Sequence, residues 1–187
     1  MEAWRLQKQI AITFVTMLIF LVGFMGAGKT YWGKQWAYSN KFPFYDLDVL
    51  IENREGSTIA NIFKEKGEDH FRTLETELLE AFPFSSNAII ACGGGTPCFN
   101  NNMQRMNRNG ITIFLKASPL EIVARLEGGI KKRPLLSGKS GEALLKFVEQ
   151  KLKERAKCYE AAKHIFEVKH LNTSSLHAII ASYQHNA

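Results

Sequence analysis

Apolar residues along the chain fall into short, nearly continuous runs separated by longer stretches with helical spacing. Runs of strand length stand at Leu18 to Val22, Ala88 to Cys92, Ile111 to Lys116 and Ile165 to Val168, with a shorter one at Phe44 to Asp46. A strand that is apolar on both faces has to be covered on both faces, which predicts a parallel sheet held between helices. Between the runs, Phe71, Leu74, Leu78 and Phe82 keep one helical stripe, as do Leu176, Ile179, Ile180 and Tyr183. Ser118, Pro119, Leu120 and Glu121 spell a capping box with proline at the first helical position, so a helix starts directly after the strand ending near Lys116. Strand and helix alternate, which is the pattern of an α/β domain.

Two stretches break the alternation. From Gly128 to Gly141 the chain reads GGIKKRPLLSGKSG, glycine-rich, basic and too poor in apolar residues to fold alone, and is expected to be a mobile loop. Residues 1–16 precede Met17, which lies one residue before the first strand; they read as an appended extension, a misassigned start or an edge strand. The apolar run from Ile10 to Gly28 follows Arg5 and Lys8 and superficially resembles a signal peptide or membrane span. Its second half, however, carries Gly23, Gly26 and Gly28 and leads straight into Lys29, which suits a buried strand entering a glycine loop.

Composition narrows the class without choosing a function. At 187 residues, with 45% apolar and 22% charged, the chain is sized for one globular domain and excludes disordered, collagen-like and low-complexity classes. Its 24 basic against 18 acidic residues give +6, suited to a polyanion of any kind, whether nucleic acid or an anionic small molecule. Three cysteines, Cys92, Cys98 and Cys158, show no CxxC pair, so no disulfide framework or zinc ribbon is expected, and a reducing compartment, the cytoplasm, is favoured. The five histidines lack the spacing of a metal site.

The chemistry begins at GFMGAGKT, Gly23 to Thr30, which matches GxxxxGK[ST] between a predicted strand and a predicted helix. Glycines let backbone N–H groups curl around phosphate oxygens, the helix N-terminus adds its positive end, Lys29 reaches the outer phosphates, and Thr30 can ligate magnesium. Asp46, Leu47, Asp48 follows the short second strand, whose end should open on the same crevice. In an extended chain both carboxylates face one side, so one could support magnesium and the other accept a proton; equally, Asp48 could cap a helix beginning at Val49. Arg72 and Glu75, in EDHFRTLE, are face neighbours on a helix and in isolation read as a surface ion pair. Gly93, Gly94 and Gly95 end the third strand where backbone could approach a polyhydroxylated ligand, or simply turn. Arg133, in KKRPLL, and Arg155, in ERAKCY, are candidates for anionic groups, since the guanidinium fork matches phosphate and carboxylate. Asn100 to Asn102 reads as a turn or helix-start device.

Taken together and in this order, GFMGAGKT, DLD, ED-x-FR-x-x-E, GGG, RPLL and Arg155-x-x-x-Tyr159 closely resemble shikimate kinase from Leu18 to about Gln184. The resemblance implies a P-loop, nucleoside-monophosphate-kinase-like three-layer sandwich with a five-stranded parallel sheet, and ATP-dependent phosphorylation of the shikimate 3-hydroxyl in aromatic amino-acid synthesis. It implies a single domain over 17–187, with the substrate-binding segment at about 48–80 and a lid at about 128–141. ATP phosphates would fall to Gly26, Ala27, Gly28, Lys29, Thr30 and Tyr31, with Arg133 from the lid, and Mg2+ to Thr30 and, through water, Asp46. Shikimate would meet Asp48, Phe71, Arg72, Glu75, Gly93, Gly94, Gly95 and Arg155, with Lys29, Asp48 and Arg133 catalytic. Small-molecule substrates, a monomer, and neither nucleic acid nor membrane are the expected partnerships. The chain departs from the family where Leu126, beside Arg125, falls opposite an adenine-covering arginine, and around Lys169 to Asn172, where the adenine-facing loop has no arginine. A gluconate kinase of the same fold would share the phosphate loop but not the paired arginines and GGG. A non-catalytic nucleotide-binding or nucleic-acid-binding module would leave DLD and FR-x-x-E unexplained.

Overall fold

In the computed structural model, which describes residues 16–82, 87–128 and 140–185, β1 (Leu18–Val22) is buried at every position and forms the centre of the sheet. It pairs in parallel with β3 (Ala88–Ala91) on one side and β4 (Ile111–Lys116) on the other, in the registers Leu18 to Ala88 and Ile19 to Ile111. β2 (Phe44–Asp46) extends the sheet beyond β3 and β5 (His164–Glu167) extends it beyond β4, giving the order β2-β3-β1-β4-β5 with every pair parallel. The chain therefore leaves β1 in both directions, and the crevice beyond its carboxyl end is where such sheets bind ligands.

Around the sheet run α1 (Lys29–Asn40), α2 (Leu47–Glu55), α3 (Ile59–Ala81), α4 (Asn102–Asn109), α5 (Pro119–Glu127), α6 (Gly141–Glu160) and α7 (His177–His185). The capping box predicted for α5 is present in both directions, between Ser118 and Glu121. Double-sided burial holds for β1, β3 and most of β4. It fails at both edges: β2 is half-buried throughout, and β5 alternates between half-buried and exposed, the pattern of a strand with one covered face, and ends one residue early as Val168 turns into a 3-10 segment. α3 is not continuous: Gly67, at φ 82 and ψ 174, breaks it, so the helix that carries Arg72 and Glu75 is the second half of a kinked pair.

One expectation is corrected. Cys98 and Cys158, which the spacing along the chain gave no reason to pair, form a disulfide with Cα atoms 5.4 Å apart, because α6 packs across the 3-10 turn Thr96–Cys98. Cys92 is buried and free. The extension up to residue 15 and the loop 129–139, with Arg133, lie outside the described residues. Among the described residues no helix is long and apolar enough to cross a membrane.

Candidate active site

The phosphate loop forms where β1 delivers the chain to α1. Gly26 and Gly28 hold φ 81 and 93, a region that side chains avoid. α1 starts at Lys29 with neither a capping side chain nor an acidic residue in its first turn, so its amide end is left for an anion. Lys29 Nζ donates to the carbonyls of Gly23, at 2.8 Å, and Phe24, at 3.0 Å, which sets the ammonium across the loop. Gly26, Gly28, Lys29, Thr30 and Tyr31 all line a cavity of about 300 Å³ that also takes in Asp46 and Asp48. Ala27 is instead fully buried beneath it. Leu126 is core and packs against Gly26, whereas Arg125 donates to Gly26 O at 3.2 Å, so the arginine beside the expected position is the one that reaches the loop.

The two aspartates reach the crevice by a route that strand alternation does not describe. Asp46, not Asp48, is the N-cap: its Oδ1 accepts from Asp48 N at 3.2 Å, and α2 begins at Leu47. Its Oδ2 accepts from Thr30 Oγ1 at 2.8 Å. These are hard oxygen donors beside the phosphate loop, which suits a cation that keeps most of its water. Among the described residues no group of three His, Cys, Asp or Glu could hold a metal by itself, so a cation here would need phosphate oxygens as well. Asp48 sits in the first turn of α2 with Oδ1 buried and without a hydrogen-bond partner. Burial, reinforced by the Asp46 and Glu75 carboxylates and only partly offset by Lys29, pushes its pKa up from 3.8 to about 6.

Asp48 also lines a second, larger cavity of about 530 Å³ between α2, α3 and the glycine triplet. Arg72 and Glu75 stand there on α3, and their pair is not at the surface: Arg72 is 7% exposed and Glu75 0%. Arg72 Nη1 donates to Glu75 Oε2 at 2.7 Å and Nη2 to Glu68 Oε1 at 2.7 Å, while its guanidinium lies 4.3 Å from the Phe99 ring centroid and 5.2 Å from that of Phe71. Acids hold the fork from one side and rings from the other, which leaves its orientation little freedom. Burial raises the Glu75 pKa, against the lowering effect of Arg72 and of the Thr96 hydroxyl that donates to it.

The triplet seals these polar groups against backbone. A β-carbon on Gly93 would stand 2.7 Å from Glu75 Oε1 and 3.0 Å from Asp48 Oδ1, and one on Gly94 would stand 3.6 Å from Arg155 Nη1. Arg155, on α6, donates to Gly94 O at 3.0 Å, and the buried Tyr159 one turn later donates its hydroxyl to the same carbonyl. The structure thus brings together Asp48, Phe71, Arg72, Glu75, Gly93, Gly94, Gly95 and Arg155 around one cavity. Its other walls are Met25, a variable position of the phosphate-loop motif, and Glu52, Thr58, Ile59, Ala60 and Phe63, which fall in the expected substrate-binding segment but were not singled out one by one. Residue typing missed a supporting layer. Asn102 donates to Thr96 O at 3.1 Å, and Asn100 donates to Thr76 Oγ1 at 3.0 Å, so the asparagine run stitches the triplet's turn to its own helix and to α3.

The chain that builds this site matches known proteins over most of its length. The family model described as shikimate kinase matches residues 25–184. The chain belongs to the shikimate kinase family. The shikimate kinase of Phocaeicola vulgatus is 43% identical over 153 residues, covering 82% of this chain and 87% of that one. Among solved structures, shikimate kinase from Bacteroides thetaiotaomicron superposes with a TM-score of 0.76 at 38% identity, covering 91% of this chain and 97% of that one. Shikimate kinase from Acinetobacter baumannii, solved in complex with shikimate, gives 0.78 at 31% identity, covering 91% and 94%. The five-stranded parallel sheet is the α/β P-loop kinase fold that the resemblance implied.

Proposed function

We propose that this chain transfers the γ-phosphoryl group of ATP to the 3-hydroxyl of shikimate, giving shikimate 3-phosphate and ADP, a step toward aromatic amino acids. The observation that carries the reading is that the phosphate-loop cavity and the acceptor cavity meet at Asp48, a carboxylate with an unpartnered buried oxygen. An acceptor hydroxyl placed there lies between a proton acceptor and the phosphate loop.

Phosphoryl transfer needs alignment and charge compensation more than covalent chemistry from the protein. Arg72 and Arg155 clamp the acceptor's carboxylate, Phe71 and Phe63 cover its ring, and the triplet admits its hydroxyls close to backbone. Asp48, with a pKa near working pH, takes the hydroxyl proton as the oxygen attacks. Lys29 and the amides of the loop face the phosphates, and the family resemblance assigns Arg133 to the same group. Thr30 and Asp46 would hold the water shell of Mg2+, which would supply charge neutralisation at the phosphates.

ADP release measured with shikimate, gluconate and nucleoside monophosphates as acceptors tests the reading. Turnover confined to shikimate is expected; none with shikimate in the presence of ATP and magnesium overturns it.

A further inference from the structure

Cys98 closes the 3-10 turn that follows Gly95, and Cys158 stands on α6, three residues after Arg155 and next to Tyr159. Their Cα atoms are 5.4 Å apart, within the range a disulfide spans, although 60 residues separate them in sequence. The pair joins the same two segments that Arg155 and Tyr159 join by hydrogen bonds to Gly94 O. Cys158 Sγ lies 3.1 Å from the carbonyl oxygen of Arg155 itself. Both cysteines are half-buried rather than sealed. Cys98 lines a side cavity of about 350 Å³ together with Met25, Arg72, Lys151 and Arg155, so a small reagent reaches it from the substrate side among cations that favour a thiolate, with Glu68 and Glu154 as their counter-charges. Cys92 differs in each respect: it is fully buried, free, and its thiol pKa is pushed up by that burial.

We propose that Cys98 and Cys158 are a reversible thiol–disulfide pair whose oxidised form tightens shikimate binding by fixing α6, and with it Arg155, against Gly93–Gly95. The inference rests on Arg155 being a ligand of the substrate carboxylate. The oxidant is a low-molecular-weight disulfide. The Cys98 thiolate attacks one of its sulfurs and expels a thiolate, forming a mixed disulfide; the Cys158 thiolate then attacks Cys98 Sγ and expels the second. Two protein thiols and one small disulfide become one protein disulfide and two small thiols, with two electrons passing to the reagent. A clamp arm held in place before the ligand arrives loses less freedom on binding, so the gain appears in affinity. Lys29 and Asp48 lie on α1 and α2, which carry neither cysteine, so the bridge fixes the clamp arm rather than the groups of the chemical step.

The test uses the full chain equilibrated in glutathione buffers from fully reduced to fully oxidised, with thiols counted by alkylation and mass after unfolding. Three alkylated cysteines are expected at the reducing end and one, Cys92, at the oxidising end. The shikimate KM is expected to be about 3- to 10-fold lower for the oxidised enzyme, with the KM for ATP unchanged. A melting temperature higher by roughly 5 to 15 °C should accompany the bridge. Cys98→Ser and Cys158→Ser should each keep the reduced enzyme's KM in both buffers. Three reactive thiols at the oxidising end, or a bridge that forms without moving the shikimate KM, overturns the proposal. Arg155→Ala separates the two readings. An unchanged shikimate KM in that variant overturns the carboxylate assignment and with it the route by which the bridge acts. A raised KM there, beside a redox-insensitive wild type, overturns the switch alone.

Discussion

Gly95 and Arg72 compete for the same space: a β-carbon on Gly95 would lie 2.6 Å from Arg72 Nη2 and 2.7 Å from Nη1. The backbone at Gly95, φ −99 and ψ −21, is one that any residue adopts, so an alanine there meets the guanidinium and little else. Gly95→Ala should therefore raise the shikimate KM by about tenfold, the equivalent of one displaced charge-assisted contact. The KM for ATP should stay close to wild type, and the melting temperature should fall, because the displaced guanidinium disturbs a buried ion pair. A normal shikimate KM would mean that Arg72 can yield without losing its grip on the acceptor.

Asp48→Asn should separate activity from stability. Removing the proton acceptor lowers kcat by about 10² to 10⁴, and the wild type's kcat/KM should rise with pH and level off above about 6 as Asp48 ionises. The folded state binds that proton more tightly than the unfolded chain, whose carboxyl titrates near 3.8, so Asp48 costs stability increasingly as pH climbs from about 4 to 6. Asparagine escapes the cost, and the variant should melt higher than wild type at pH 7, by on the order of 2 kcal/mol in stability. Loss of both activity and stability would show instead that Asp48 is held by contacts its charge needs.

Asp46→Asn keeps one acceptor oxygen for the Asp48 amide, sets an amide nitrogen where Oδ2 accepted from the Thr30 hydroxyl, and loses a charge beside the phosphate loop. Its defect should shrink as magnesium rises, because mass action refills a weakened site. Magnesium titrations of both variants decide the assignment: rescue of Asp48→Asn with none for Asp46→Asn reverses the roles.

Arg133→Ala should lower kcat far more than it raises the shikimate KM, since a contact made to the moving phosphoryl group is felt in the rate. Steady-state kinetics giving only a raised shikimate KM would move Arg133 to the acceptor site.

Most of this architecture is legible along the chain because its signals are local. Five apolar runs locate five strands, Ser118 and Glu121 mark a helix start by themselves, and Gly26, Gly28 and Lys29 form a loop whose geometry the residues dictate. What escaped depends on distance in sequence. The Cys98–Cys158 pairing and the convergence of Arg155 and Tyr159 on Gly94 exist only once α6 has folded back across the sheet. Asp46 took the cap expected of Asp48 because the helix starts two residues before the polar pattern announces it, and Leu47, an apolar residue buried in the first turn, hides the boundary. The Arg72–Glu75 pair looked like an exposed one because three-residue spacing says which side chains meet and nothing of what covers them.

The break at Gly67 divides the acceptor cavity between two rods drawn from one stretch of chain. Thr58, Ile59, Ala60 and Phe63 lie before it, and Phe71, Arg72 and Glu75 after it. The downstream rod is anchored by the buried ion pair and the triplet, while the upstream rod contributes apolar and hydroxyl surface with no charge tied to the glycines. On the proposed reading, such a seam would let substitutions in one wall of the pocket alter which ring substituents are accepted while leaving the grip on the acceptor's anionic end in place. Acceptor preference and acceptor anchoring would then be separable by substitution.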